Sequence, residues 1–189
     1  MRAHLMANRL AMDDAQRRGA DEARLRIILD LLHDLPIDQM TIALYLSRPP
    51  EPSTIALAAE LHRCGARLLV PAASRGWTQP DWAWYEEPLV IGPRNIPVAP
   101  GRAVGMDALG QAQIIVLPGL AGARDGTRLG TGGGWYDKAL GSASPDAKRW
   151  LLLGDDEVFD QLPSQPHDLP VHRLITPSGT TLCCRAATP

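Results

Sequence analysis

Cysteine is scarce in this chain, and the little there is builds no framework. Cys64, Cys183 and Cys184 are an odd number, and the adjacent pair lacks zinc-ligand spacing, so a disulfide scaffold is excluded. Reduced cysteines in a cytoplasmic protein are the simplest account. An excess of one charge is also missing. The 19 basic and 21 acidic residues are interspersed and give a net charge of -2, which points to neither nucleic acid nor a membrane surface as partner. No apolar run approaches the length of a membrane span, and the N-terminus lacks the apolar core of a secretory signal. His4, His33, His62, His167 and His172 are scattered without ligand spacing, and none is given a catalytic role. Repeats and low-complexity tracts are absent. What remains is 189 residues with 45% hydrophobic content, enough for one domain, 1–189, with a substantial core.

Residues 2–34 carry helical periodicity, with Leu25, Ile28, Leu29 and Leu32 on one face and Arg17, Arg18, Arg24 and Arg26 expected in solvent. Asp13 followed by Gln16 reads as a capping box, which splits the segment and leaves Arg2, Leu5, Met6, Arg9 and Leu10 on a first helix. Residues 40–46 form a first strand, with a loop over 47–52 at its carboxyl end, where open α/β sheets bind ligands. Glu51 lies in that loop, before a helix capped by Ser53 that runs to Cys64 and stops at Gly65. A second strand covers 66–70 and a polar connection 72–80. Trp82, Trp84 and Tyr85 alternate as in a half-exposed strand, and packing is the preferred role for these rings. Residues 88–100, rich in proline and glycine, read as a long loop. Another buried strand spans 149–154. Asp155, Asp156 and Glu157 after it are read as ordinary helix-start acids in preference to a metal site. A loop over 162–168 and closing strands at 172–176 and 180–185 complete the chain.

The chain is organised around VLPGLAGARDGTRLGTGGGWYDKAL, residues 116–140. Ile114, Ile115, Val116 and Leu117 suit a strand buried on both faces, ended by Pro118 and Gly119. Gly126, Gly130, Gly132, Gly133 and Gly134 then surround Arg128, and a helix starts near Trp135. Without side chains, such a run lets a polyphosphate approach backbone N–H groups. Arg128 and Lys138 would pair with phosphate oxygens, and Asp137 would hold a bridging magnesium ion. The glycines match neither standard nucleotide fingerprint, and a flexible surface loop would have the same composition.

The wording of the motif is more specific than its composition. Arg-Leu-Gly-x-Gly-Gly-Gly-x-Tyr-Asp-Lys, from Arg128 to Lys138, resembles the signature of the 5-formyltetrahydrofolate cyclo-ligase family, also called methenyltetrahydrofolate synthetase. The resemblance extends through Tyr45-Leu46-Ser47 with Glu51 and Thr54, through Asn95-Ile96-Pro97, and to Asp168. It implies an α/β fold in three layers, a mainly parallel sheet with helices on both faces, Rossmann-like in the manner of sugar-phosphate isomerases and CoA-transferases. It also implies ATP contacts from Arg2 and from Arg128, Leu129, Gly130, Thr131, Gly132, Gly133, Gly134, Trp135 and Tyr136, with Arg128 and Lys138 as catalytic charges. Folate contacts would come from Glu51, Gly132, Gly133 and Trp135, with Asn95-Ile96-Pro97 closing over the folate and Mg2+ at Asp137 and Asp168. Arg2 otherwise reads as a solvated terminal charge, and Asp168 as a turn former before Leu169-Pro170.

The implied reaction converts 5-formyltetrahydrofolate and ATP into 5,10-methenyltetrahydrofolate, ADP and phosphate, in a cytoplasmic monomer of one-carbon metabolism. Three positions depart from the family pattern. The Lys expected four residues before Arg2 has no counterpart because the chain starts too late, the common Phe-Asp reads Gly122-Ala123, and a Tyr often found between the glycines is Thr131. Lys138 also stands where many relatives carry Arg. Two other readings stay open: a diverged paralogue that binds a nucleotide or phosphorylated metabolite without cyclisation, and a sugar-phosphate isomerase, which needs a catalytic base pair the sequence does not display.

Overall fold

The computed structural model describes residues 1–72, 79–92, 95–165 and 168–184. The chain opens with helices α1 (Arg2–Ala11) and α2 (Asp14–Leu32). They are separate because Asp13 takes extended backbone and caps the second. Its carboxylate accepts from the Gln16 N–H at 2.8 Å, and the Gln16 side chain accepts from the Asp13 N–H at 3.0 Å, the expected capping box. Helix α2 buries Ile28 and Leu32 with Leu25 and Leu29 beside them. Arg24 corrects the sequence reading: it is not in solvent but buried, donating to the Leu153 carbonyl at 2.9 Å and to Asp21 at 2.6 Å.

The strands follow as β1 (Thr41–Leu44), β2 (Arg67–Pro71), β3 (Trp82–Trp84), β4 (Val90–Ile91), β5 (Pro97–Val98) and β6 (Ile114–Leu117). The second half adds β7 (Ala121–Ala123), β8 (Arg128–Leu129), β9 (Lys148–Leu152), β10 (Val158–Phe159), β11 (Arg173–Thr176) and β12 (Gly179–Leu182). Helices α3 (Ile55–Arg63) and α4 (Trp135–Leu140) lie between them. The main sheet has the order β12-β11-β9-β6-β1-β2-β3. Its interior pairs are all parallel, and only the edges β3 and β12 run antiparallel.

Both faces of this sheet are covered, which is why its central strands are apolar without alternation. Ile42, Leu44, Ile114, Val116 and Leu152 pack toward α2 and α3. Their neighbours Ala43, Ile115, Leu117 and Leu151 point the other way, toward Ala139 and Leu140 of α4 and Leu109 of the short 3-10 turn Met106–Gln111. The result is the mainly parallel α/β sheet in three layers expected from the sequence.

Four local readings need correction. Helix α3 is capped at Thr54, not Ser53, whose N–H donates instead to Asp21 at 2.9 Å. Thr54 is drawn inward because it and Ser47 exchange bonds of 3.1 and 2.9 Å that close the loop after β1. Trp82 is fully buried rather than half-exposed, its ring set edge-on to Trp135 at 5.4 Å. Residues 88–100 are not structureless, since β4 and β5 pair antiparallel within them. Most of the connection over 72–80 lies outside the described residues, as do His167 and Arg185.

The fourth correction concerns the central stretch. Between β6 and α4 the chain makes a hairpin, β7 with β8, which β10 joins to form a second sheet in the order β10-β7-β8. Gly126 belongs to the turn of that hairpin. It has φ +94°, and an added Cβ would lie 2.5 Å from the Val171 carbonyl oxygen, so packing requires glycine there. At Gly122, where the family resemblance led to an expectation of Phe, an added Cβ would meet Leu151 and Leu174 at 2.8 Å. The neighbouring leucines occupy the space an aromatic ring would need.

Candidate functional site

A cavity of about 1020 Å³ opens at the carboxyl ends of β1, β2 and β6. The strand order runs outward in both directions from the β1–β6 pair, so this is the switch point at which open α/β sheets form a crevice. Tyr45, Leu46 and Glu51 reach it from the end of β1, Pro71 from β2, and Pro118 and Gly119 from β6. The motif supplies every residue from Arg128 to Asp137, and α1 supplies Arg2 and Arg9. Ile96, Pro97, Pro163, Ser164, Gln165 and Asp168 complete the rim.

Of the residues singled out in the sequence, Arg2, Glu51, Arg128 to Asp137 and Asp168 are thus brought to one volume. Lys138 is not. It is exposed on α4 and does not line the cavity, although Asp137 beside it does. One residue along a helix is a turn of about 100°, which carries the Lys138 side chain off the Asp137 face.

The glycine loop is open toward the cavity. Gly132 and Gly134 have φ of +101° and +65°, values that side chains disfavour, and Gly134 is the N-cap of α4. At Gly133 an added Cβ would meet nothing within 4 Å and the backbone needs no unusual φ. Packing therefore gives no reason for glycine at that position. Behind the loop, Trp135 lies between Trp82 and Tyr136, with edge-on ring contacts of 5.4 and 4.7 Å.

The charged side chains of the cavity make local polar contacts. The Arg128 side chain is 7% exposed, donates to the Pro118 carbonyl at 3.3 Å and forms an ion pair with Asp137. Arg2 donates to the Gly130 carbonyl at 2.9 Å. Glu51 accepts from the Arg48 N–H at 3.1 Å, yet burial pushes its carboxyl above the ordinary range. Burial and the nearby Glu51 charge also hold the Tyr45 and Tyr136 hydroxyls protonated far above neutral pH, and Tyr45 donates to the Pro52 carbonyl at 2.7 Å. Both phenols can serve as donors or walls but not as bases.

Asp168 turns back on its own loop, accepting from the Gln165 N–H at 2.7 Å, so the turn-forming role and the position on the cavity coincide. Among the described residues no group of three or more His, Cys, Asp or Glu side chains is placed to hold a metal. Asp137 and Asp168 nevertheless line the same cavity as the glycine loop, and carboxylate oxygens are the donor type that a hard divalent cation takes. The acids after β9 form a 3-10 turn, Asp155–Glu157, in which Asp155 binds Ser178, Asp156 accepts from Asn8 and Glu157 pairs with Arg9. The sequence places Arg9 on the first helix and offers it no partner. No local spacing connects it to an acid 148 positions away.

The model of the 5-formyltetrahydrofolate cyclo-ligase family matches residues 1–177. A 5-formyltetrahydrofolate cyclo-ligase of Mycolicibacterium smegmatis is 34% identical over 190 residues, covering 98% of this chain and 96% of that protein. A mitochondrial 5-formyltetrahydrofolate cyclo-ligase of Arabidopsis thaliana is 35% identical over 112 residues, half of this chain and 40% of that protein. In fold, the chain is similar to the 5,10-methenyltetrahydrofolate synthetase of Aquifex aeolicus, with TM-score 0.78 and 23% identity, over 100% of this chain and 93% of that one. The synthetase of Mycoplasma pneumoniae gives 0.72 at 18% identity, over 93% and 96%. With the family model spanning nearly the whole length and a relative alike from end to end, the chain belongs to the 5-formyltetrahydrofolate cyclo-ligase family.

Proposed function

We propose that this protein is an ATP-dependent ligase that cyclises 5-formyltetrahydrofolate to 5,10-methenyltetrahydrofolate, releasing ADP and phosphate. Family membership supports the reaction. The observation that carries it to this chain is that Arg128 and the open loop Gly130–Gly134 share one cavity with the desolvated carboxylate Glu51. Phosphate-binding and folate-orienting groups therefore face the same volume.

The formyl group is an amide and a poor electrophile. Its oxygen attacks the γ-phosphorus, ADP leaves, and nitrogen 10 of the folate attacks the activated carbon. The carbon–oxygen bond then breaks, and phosphate departs with the formyl oxygen while nitrogen 10 loses its proton. Such chemistry asks the protein for positioning and charge compensation, not for a nucleophile. Arg128, Arg2 and the backbone of Gly130–Gly134 offset the polyphosphate charge, Glu51 orients the folate, and Trp135 and Tyr136 wall the junction. Asp137 and Asp168 would hold Mg2+, which when bound neutralises phosphate oxygens. Lys138 takes no direct part. The cavity draws its groups from Met1 to Asp168 of one chain, which supports the reading of a single domain, 1–189, acting as a monomer. The described cysteines, all unpaired, accord with a cytoplasmic setting.

The test is absorbance at the methenyl-folate band after mixing the protein with 5-formyltetrahydrofolate, Mg2+ and ATP. An ATP-dependent rise is expected. No rise from folded protein that still binds ATP would replace this reading with the diverged, non-cyclising binder.

A further inference from the structure

Helix α1 is tied to the cavity by a buried clamp whose two ends lie 148 residues apart. Arg9 is 6% exposed and Glu157 2%. The guanidinium donates from Nε and Nη2 to the two carboxylate oxygens at 2.6 and 2.7 Å, and Nη2 donates again to the Gly119 carbonyl at 2.6 Å. Glu157 in turn accepts from the Gly154 N–H at 2.6 Å. The clamp thus joins α1, the turn after β6 and the turn after β9.

Two features show what the clamp is placed to do. The Gly119 carbonyl that receives Arg9 follows the Pro118 carbonyl that receives Arg128, so both guanidinia rest on one turn. Arg2 lies seven residues before Arg9, two helical turns and the same face, and reaches Gly130 in the glycine loop. Arg9 is already neutralised by Glu157 and is not available as a free phosphate ligand. A buried ion pair contributes little net stability compared with an apolar pair of similar size, but its fork geometry fixes an orientation.

We infer that Arg9 and Glu157 are positioning residues for nucleotide binding: the clamp seats α1 so that Arg2 lies over the glycine loop beside Arg128. This rests on the ATP reading above. It assigns a coupling that a merely structural ion pair would not have, because the value of Arg2 depends on the clamp.

The test is ATP affinity by calorimetry in a double-mutant cycle, with 5-formyltetrahydrofolate affinity measured alongside. Arg2→Ala in the unmodified protein is expected to weaken ATP binding about tenfold, and in the Glu157→Gln background to add less than about twofold. Folate affinity stays within about twofold in all variants. Glu157→Gln preserves the acceptor for Gly154; Arg9→Lys, which keeps the charge and loses the fork, supplies a second background with the same pattern. Equal Arg2→Ala losses in all backgrounds, or parallel losses of ATP and folate, would overturn the clamp's role alone. No ATP binding by the unmodified protein would overturn the nucleotide reading, and this proposal with it.

Discussion

Asp137 and Arg128 neutralise one another in direct contact on the cavity lining, the carboxylate 39% exposed and the guanidinium 7%. In the proposed function these two groups serve opposite ligands, a cation and an anion. Polyphosphate must therefore displace Asp137 from Arg128, and the displaced carboxylate becomes available to the metal. On the proposed function, anion and cation binding would be coupled through this one ion pair.

Asp137→Asn tests this directly. Removing the carboxylate charge frees Arg128, so ATP without metal binds about three- to tenfold more tightly than to the unmodified protein, the range expected for a partly exposed pair. Added Mg2+ then gives little further gain, and turnover is lost. Calorimetry with and without Mg2+ reads both effects, and a variant with unaltered metal-free affinity would show that the pair does not gate the phosphate site.

Gly133 separates ligand approach from folding. A methyl group there meets no protein atom within 4 Å and the backbone conformation is ordinary. Gly133→Ala is expected to leave the unfolding midpoint unchanged while weakening ATP binding at least about tenfold, because in the proposed function the added carbon would stand where the phosphates approach the main chain. Intact affinity in this variant would move the nucleotide off the loop. Gly126→Ala should do the reverse, losing stability through its clash with Val171.

Several of these features are legible in the sequence. The run Ile114–Leu117 and the box of Asp13 and Gln16 are local signals, and local signals survive folding. The motif also announced where the cavity would be. The small sheet of β7, β8 and β10 was not readable, since Ala-Gly-Ala has no strand preference and becomes a strand only by pairing. The sequence reading assigns Arg24 to solvent on its charge and gives Arg9 no partner. Their burial depends on Leu153 and Glu157, partners that the fold alone brings near, with Asp21 one turn back on the same helix as a second partner of Arg24.

Glu51 offers a prediction that stability measurements can make without substrate. Burial raises its carboxyl above the ordinary value of 4.5, against the smaller opposing pull of the Arg48 N–H. The folded state thus keeps this proton to higher pH than the unfolded chain does. Below the unfolded value both states are protonated and no penalty exists. As pH rises from there through the raised folded value, the unfolded state loses its proton first, so stability falls, and the deficit persists above that window. Glu51→Gln removes the titration while keeping an oxygen for Arg48. Its melting temperature should exceed that of the unmodified protein at neutral pH, with the difference shrinking as pH is lowered to the ordinary carboxylate value. The same variant should bind 5-formyltetrahydrofolate more weakly. Identical pH slopes in the two proteins would mean that Glu51 is solvated like a surface acid, and a solvated acid would have no desolvation to offset by orienting the folate.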